Sequence, residues 1–163
     1  MNIKNMIIVG MADLNAVRDP GVLTTLGLGS CVGIALYDPI AKVAGLAHCM
    51  LPDSKQIQNN SVEAKFVDTG IIKLLGLMQK LGANRRLIKA KVAGGAQMFA
   101  HNATNESMRI GDRNVAATLQ ILGGLGIMVI AKDTGDTYGR TVELYAENGA
   151  FIIKTIGHGN KSI

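Results

Sequence analysis

Cys31 and His48 are the two residues of this 163-residue chain that local structure alone could unite for covalent chemistry. A thiolate attacks an acyl carbon far better than a thiol does, and a neighbouring imidazole can take the proton and later give it to a departing amine. The pair points to a cysteine hydrolase. Thr25-Leu26-Gly27-Leu28-Gly29-Ser30 runs up to the thiol, and its two glycines would let a substrate approach the backbone closely. Backbone N–H groups of Cys31 and this loop, with Gly29 and Ser30 as candidates, could hold the oxyanion of a tetrahedral intermediate. Taken alone, the glycines read more simply as a bend at a strand end. Thr25 has two open readings, a hydroxyl that orients His48 or touches substrate, and a plain β-branched strand residue.

The elements that must position the pair are two apolar runs, Val32 to Leu36 and Val43 to Ala47, separated by the turn opener Asp38-Pro39. They read as a hairpin. With Tyr37 facing Lys42 across the loop Asp38 to Ala41, Cys31 falls opposite His48, and directly opposed residues have Cβ atoms about 5 Å apart on one face. A slip of one residue would send the two side chains to different faces. The expected form of the active pair is an ion pair, with His48 lowering the Cys31 pKa. Cys49 follows His48 and so points to the other face, toward packing.

Composition narrows the rest. The chain is 48% apolar and 4% aromatic, with no tryptophan, so a single core must be built from aliphatic residues and eight methionines. One domain spanning 1–163 is expected, with a flexible tail from about residue 157. The net charge of +5 comes from basic residues spread along the sequence, and the densest run, Arg85 to Lys91, has no aromatic interleaved for base stacking. That argues against nucleic acid. No apolar run is long enough to span a bilayer, so no membrane insertion and a cytoplasmic location are expected. Two cysteines are too few for a disulfide framework. Cys31, His48 and Cys49 lack the paired spacing of a zinc site, so no metal or other cofactor is expected.

Along the chain, Met6 to Met11 reads as a strand, and Arg18-Asp19-Pro20-Gly21 turns into Val22 to Leu26. A polar loop runs from Leu51 to Asn60. Ser61 reads as a helix cap ahead of Phe66, Gly70, Ile71, Leu74, Leu77, Met78 and Leu81, whose spacing is helical until Gly82. Leu87 to Ala93 reads as a strand ending at Gly94-Gly95. A second helix runs from about Gly111 to Gly123, Asn114 near its start being either a cap or a substrate ligand. Ile127 to Ala131 is a short buried strand, and Glu147-Asn148-Gly149 marks a hairpin between Arg140 to Tyr145 and Ala150 to Ile156. The class is α/β (α+β), two sheets packed together with each covered by a helix.

Across nearly its whole length the order of motifs resembles the CheD family of chemotaxis receptor glutamine deamidases. The matching pieces are Pro20-Gly21, Thr25 to Val32, Tyr37-Asp38-Pro39, Gly45-Leu46-Ala47-His48, Leu51-Pro52, Gly94 to Phe99, Ile110 to Asn114 and Asp133-Thr134-Gly135. The resemblance implies conversion of receptor glutamines to glutamates through a cysteine thioester, with Cys31 as nucleophile, His48 as base and Thr25 as the third catalytic residue. It implies a fold similar to the deamidating cytotoxic necrotizing factor toxins, two mixed sheets between outer helices (α/β/β/α). It also implies two kinds of partner: the cytoplasmic helices of chemotaxis receptors as substrate, and the phosphatase CheC, bound through Gly95, Ala96, Met98 and Phe99. A non-catalytic adaptor that docks on receptors and CheC is the competing class. A protease or transglutaminase would share the chemistry but would cleave peptides or incorporate amines.

Overall fold

The computed structural model describes residues 5–98 and 109–163, which form two five-stranded mixed sheets and two long helices. Ten strands appear in chain order: β1 (Met6–Ile8), β2 (Asp13–Arg18), β3 (Val22–Leu28), β4 (Val32–Asp38), β5 (Val43–Cys49), β6 (Lys89–Gly94), β7 (Val129–Thr134), β8 (Arg140–Tyr145), β9 (Phe151–Thr155) and β10 (Gly159–Ser162). The helices are α1 (Val67–Lys80) and α2 (Ile110–Gly124). One sheet has the order β1-β3-β8-β9-β10 and the other β2-β5-β4-β6-β7. Each has a single parallel pair, β1 with β3 and β6 with β7, the rest being antiparallel.

Alternation along β4 and β5 divides their side chains between two cores. Val32, Ile34, Leu36, Val43, Ala47 and Cys49 pack with Val67, Ile71, Leu74 and Met78 of α1 and Leu122 of α2. Ala35, Ala44 and Leu46 face the other way, against Leu23, Val142, Leu144, Phe151 and Ile153 of the first sheet. Helix α1 lies close because β5 offers it small residues: a Cβ on Gly45 would come within 2.7 Å of Met78 Sδ and 2.9 Å of Leu74 Cδ1. Truncating a fully buried leucine such as Leu74 to alanine costs about 2–5 kcal/mol.

The expected α+β class with two mixed sheets face to face is what the molecule has. The helices sit differently: both described helices cover the outer face of the second sheet. The first sheet's outward positions, Thr141, Glu143, Tyr145, Ile152 and Lys154, are partly solvated and carry the 3.0 Å Lys154–Glu143 ion pair, so that face needs no helix to hide it. Strand β2 has no counterpart in the sequence reading. Helix α1 begins at Val67, after a short 3-10 turn at Glu63–Lys65, and Phe66 is its cap without a side-chain hydrogen bond. Where a frayed tail is expected, β10 pairs with β9, tied down by a 3.0 Å Lys161–Asp133 ion pair.

Candidate active site

Strands change sheet at one end of the sandwich. The chain crosses between β1 and β2 at residues 9–12, between β3 and β4 at 29–31, and between β7 and β8 at 135–139. Thr25, Cys31 and His48 all lie at this end, Thr25 in the first sheet and His48 in the second, facing each other across the inter-sheet layer.

The hairpin register differs from the expected one by two residues. Asp38 stays in the ladder opposite Val43, and Gly33, not Cys31, is opposite His48. The cause is the Asp38 carboxylate, which is fully buried and accepts from the N–H groups of Ile40 (2.9 Å), Ala41 (3.1 Å) and Asn84 (2.7 Å). Burial raises its pKa, but those three N–H groups outweigh it and hold the carboxyl below its ordinary value. The loop therefore opens after Asp38, with Lys42 in the left-handed region at φ 53°. A slip of two preserves the face: extending the ladder one residue past its end at Val32 makes Cys31 a diagonal neighbour of His48, a relation that in a regular sheet puts Cα atoms about 7–8 Å apart. The strand position between them is Gly33, which presents no side chain of its own.

His48 is 1% exposed and its ring is fixed from one side. Its Nδ1 lies 2.7 Å from Thr25 Oγ1, and Thr25 Oγ1 lies 2.6 Å from the Val9 carbonyl oxygen. A hydroxyl has one hydrogen, and a carbonyl can only accept it. Thr25 therefore donates to Val9 and accepts from His48, which puts the imidazole proton on Nδ1 and leaves a lone pair on Nε2. That nitrogen is buried and has no hydrogen-bond partner among the described residues.

Cys31 is 8% exposed. Burial pushes its thiol up, more than the Cys31 N–H pulls it down, and burial pushes the His48 imidazolium toward losing its proton. Both directions favour a neutral thiol and a neutral imidazole over the ion pair expected from sequence. Cys49, on the helix side of β5, is pushed by burial to a pKa of about 12; a Cβ on Gly70 of α1 would sit 3.0 Å from its sulfur.

Three successive carbonyls around the thiol are anchored. Gly29 O accepts from Ala96 N (2.8 Å), Ser30 O from Asn114 Nδ2 (3.0 Å), and Cys31 O from Gly95 N (2.8 Å). Gly94 and Gly95 are glycines because nothing larger fits: Cβ atoms there would run into the Cys31 carbonyl and the Val115 side chain, and both have positive φ. Beneath them lies Arg140, whose side chain is fully buried. It donates from Nε to Asp133 (3.2 Å) and from Nη1 to Gly135 O (2.9 Å), under the Tyr138 ring at 4.8 Å. Neither the Asn114–Ser30 hydrogen bond nor the burial of Arg140 has a local sequence signal.

Of the expected docking segment, Gly95 and Ala96 are buried against α2, because Gly111 lets the helix start touch their carbonyls. Buried residues offer a partner no surface. Met98 is 46% exposed and its Cγ lies 3.5 Å from where a Gly29 Cβ would be. Phe99 and His101 lie outside the described residues. Among the described residues no cluster of three or more metal-ligating side chains could hold an ion, and no helix is long and apolar enough to cross a membrane.

The family model described as CheD chemotactic sensory transduction matches residues 50–155. The chain is 57% identical over 155 residues to the "Probable chemoreceptor glutamine deamidase CheD" of Caldanaerobacter subterraneus subsp. tengcongensis, covering 95% of this chain and 96% of that protein. It belongs to the CheD family. The "Chemoreceptor glutamine deamidase CheD" of Halalkalibacterium halodurans is 48% identical, covering 98% of this chain and 99% of that protein. The family model begins after His48, but both full-length alignments are too long to leave out Thr25, Cys31 or His48. A crystal structure of the Bacillus licheniformis hypothetical protein YfiH matches 75% of this chain and 50% of its own, with a TM-score of 0.46 and 16% identity, a likeness too slight to carry an argument.

Proposed function

We propose that this CheD protein hydrolyses side-chain amides of selected glutamines in the cytoplasmic helices of chemotaxis receptors, giving glutamate and ammonia, and that it works in the cytoplasm. The observation that carries the reading is the Thr25–His48 hydrogen bond, which leaves a bare, buried imidazole nitrogen on the face that also carries the Cys31 thiol. The names of the full-length relatives support the choice of substrate.

The steps follow from those groups. His48 Nε2 takes the Cys31 proton as sulfur attacks the carboxamide carbon. Because the ring is pinned, the Cys31 side chain swings to close the diagonal gap; catalytic hydrogen bonds are often long in empty sites and tighten with substrate. The oxyanion rests on backbone N–H groups of Ser30 and Cys31. The imidazolium then protonates the amide nitrogen, the C–N bond breaks, ammonia leaves and a thioester remains. His48 deprotonates water for attack on that thioester, and the proton returns to sulfur as the glutamate side chain departs. One water is consumed for each ammonia released.

The test is incubation with a receptor cytoplasmic fragment and mass analysis of its glutamine-containing peptides. Conversion that requires Cys31 supports the reading. No conversion by folded protein on its own receptor, or conversion that survives Cys31→Ala, rejects it.

A second reading, compatible with the first, is docking of a CheC-type phosphatase over the active-site rim. Exposed Met98 beside Gly29 supports it. Met98→Ala should weaken CheC binding severalfold, and unchanged affinity would discard Met98 as an anchor.

A further inference from the structure

The geometry points to Asn114 as the positioning residue that aims the Cys31 N–H at the reaction centre; this deepens the deamidase reading and rests on it. Asn114 stands in the second turn of α2, fully buried, and spends both hydrogens of one nitrogen on two backbone carbonyls, Ser30 O at 3.0 Å and Met50 O at 2.9 Å. Those carbonyls flank the two reacting side chains: Ser30 immediately precedes Cys31, and Met50 follows the strand that carries His48. A single carboxamide thus ties the entrance of β4 to the exit of β5 where the hairpin ladder ends at Val32 and Cys49.

The contact to Ser30 has a directional consequence. The Ser30 carbonyl and the Cys31 N–H belong to one planar trans peptide, so they point in opposite directions. Holding the carbonyl down on α2 holds the N–H up, away from the helix, toward the side where the sulfur reacts. The next peptide back is fixed in the same way by Ala96 N on Gly29 O. Neither the Ser30 nor the Cys31 N–H is taken up by another residue's acceptor among the described residues. A hydrogen bond to the carbonyl also polarises its own N–H, strengthening it as a donor. Asn114 Oδ1, in contrast, is buried without a partner. Since leaving a buried acceptor without a partner is costly, the two donors are what the position supplies. α2 can bring Asn114 this close only because Gly111 has no side chain to strike the Gly95 and Ala96 carbonyls.

The experiment compares wild type with Asn114→Ala and Asn114→Gln. Two reactions of the same sulfur are followed: deamidation of the receptor fragment, which builds an oxyanion, and alkylation by iodoacetamide across pH, which builds none. Loss of aim on one oxyanion donor should lower kcat by about 10- to 100-fold with KM changed less than about threefold. Alkylation of Cys31 should fall far less than deamidation, any change being a shift along the pH axis because the Cys31 N–H also bears on the thiol, and Asn114→Gln, which keeps the carboxamide, should recover part of kcat. In the free protein the Cys31 amide cross-peak in a ¹H–¹⁵N spectrum should move in Asn114→Ala while those of α1 remain. The inference is overturned if kcat holds, or if alkylation falls in step with deamidation. It is overturned as well if neither variant folds, since the amide then holds the fold and not the donor. Should wild type itself fail to deamidate, the deamidase reading is lost, and the cross-peak alone decides: unmoved, it rejects Asn114 as the group that orients this peptide.

Discussion

Replacing Thr25 by valine keeps the β-branched shape of a fully buried strand residue and deletes only its hydroxyl. Two groups lose their partner, the Val9 carbonyl at 2.6 Å and His48 Nδ1–H at 2.7 Å, and neither can reach water easily. At about 1–3 kcal/mol for each orphaned buried group, a stability loss of roughly 2–6 kcal/mol follows, a fall in melting temperature on the order of 10 °C. The catalytic cost is separate. When His48 takes the Cys31 proton, its hydrogen bond to Thr25 becomes charge-assisted and strengthens by about 1–1.5 kcal/mol, which converts to a fall in kcat of roughly 5- to 10-fold. Without that acceptor the ring is also free to carry its proton on Nε2, the wrong nitrogen for a base facing Cys31. The assay is receptor-fragment deamidation followed by mass, run well below the variant's melting temperature, with Thr25→Ser alongside. Serine keeps the hydroxyl and should retain most of kcat. A Thr25→Val enzyme within threefold of wild type, or a serine variant no better than valine, would refute the assignment of Thr25 as the group that sets the His48 tautomer.

Burial that raises the Cys31 thiol predicts that iodoacetamide labelling of Cys31 in the free protein keeps accelerating past pH 9; a plateau reached near neutrality would mean a resting thiolate and refute the neutral pair. Cys49, raised from 9.0 to about 12, keeps its proton in the folded state over a range where the unfolded chain loses it. Its contribution is whole below pH 9 and is lost as pH rises toward 12, so Cys49→Ala should flatten the alkaline fall in stability measured by urea titration, and an unchanged slope would contradict this. Gly111→Ala sets a Cβ 2.5 Å from two backbone oxygens, so α2 must back away at a cost of about 1–3 kcal/mol; a variant with wild-type melting and wild-type deamidation would show that the contact carries no strain.

What the sequence discloses and what it hides divide along the range of the interaction. The helical spacing of Ile71, Leu74 and Met78, the Asn148-Gly149 turn and the shared face of Cys31 and His48 are local patterns, and all are legible. The register of the hairpin is not, because it depends on a third party: Asn84, far along the chain, donates to Asp38 and helps hold the start of the turn one residue later than Asp38-Pro39 suggests. Strand β2 is hidden for a related reason, since Asp13-Leu14-Asn15-Ala16-Val17-Arg18 is a polar edge strand with only weak alternation, defined by pairing with β5. The glycines of Gly94-Gly95 read as a strand end, and through the resemblance as part of a docking segment, until the Cys31 carbonyl and α2 are seen pressed against them. Arg140 stands in the sequence only as the first residue of a strand, and the Gly135 carbonyl and Asp133 are what explain its burial.

The site also explains why this sandwich changes sheet so often at one end. Each crossing contributes one part: residues 9–12 bring the Val9 carbonyl that fixes the Thr25 hydroxyl, residues 29–31 bring the thiol and its N–H groups, and 135–139 brings the Gly135 carbonyl that holds Arg140 under Gly94. Thr25 belongs to the first sheet and His48 to the second, so their 2.7 Å contact exists only while the two sheets are docked. The inter-sheet core of Leu23, Leu46, Val142 and Phe151 is therefore part of what orients the base, although none of those side chains touches it through a hydrogen bond. A packing defect placed in that layer would loosen the Thr25–His48 distance before it unfolds the chain. The same defect placed under α1, on the far side of β5, would lower stability by a comparable amount and leave the imidazole aimed.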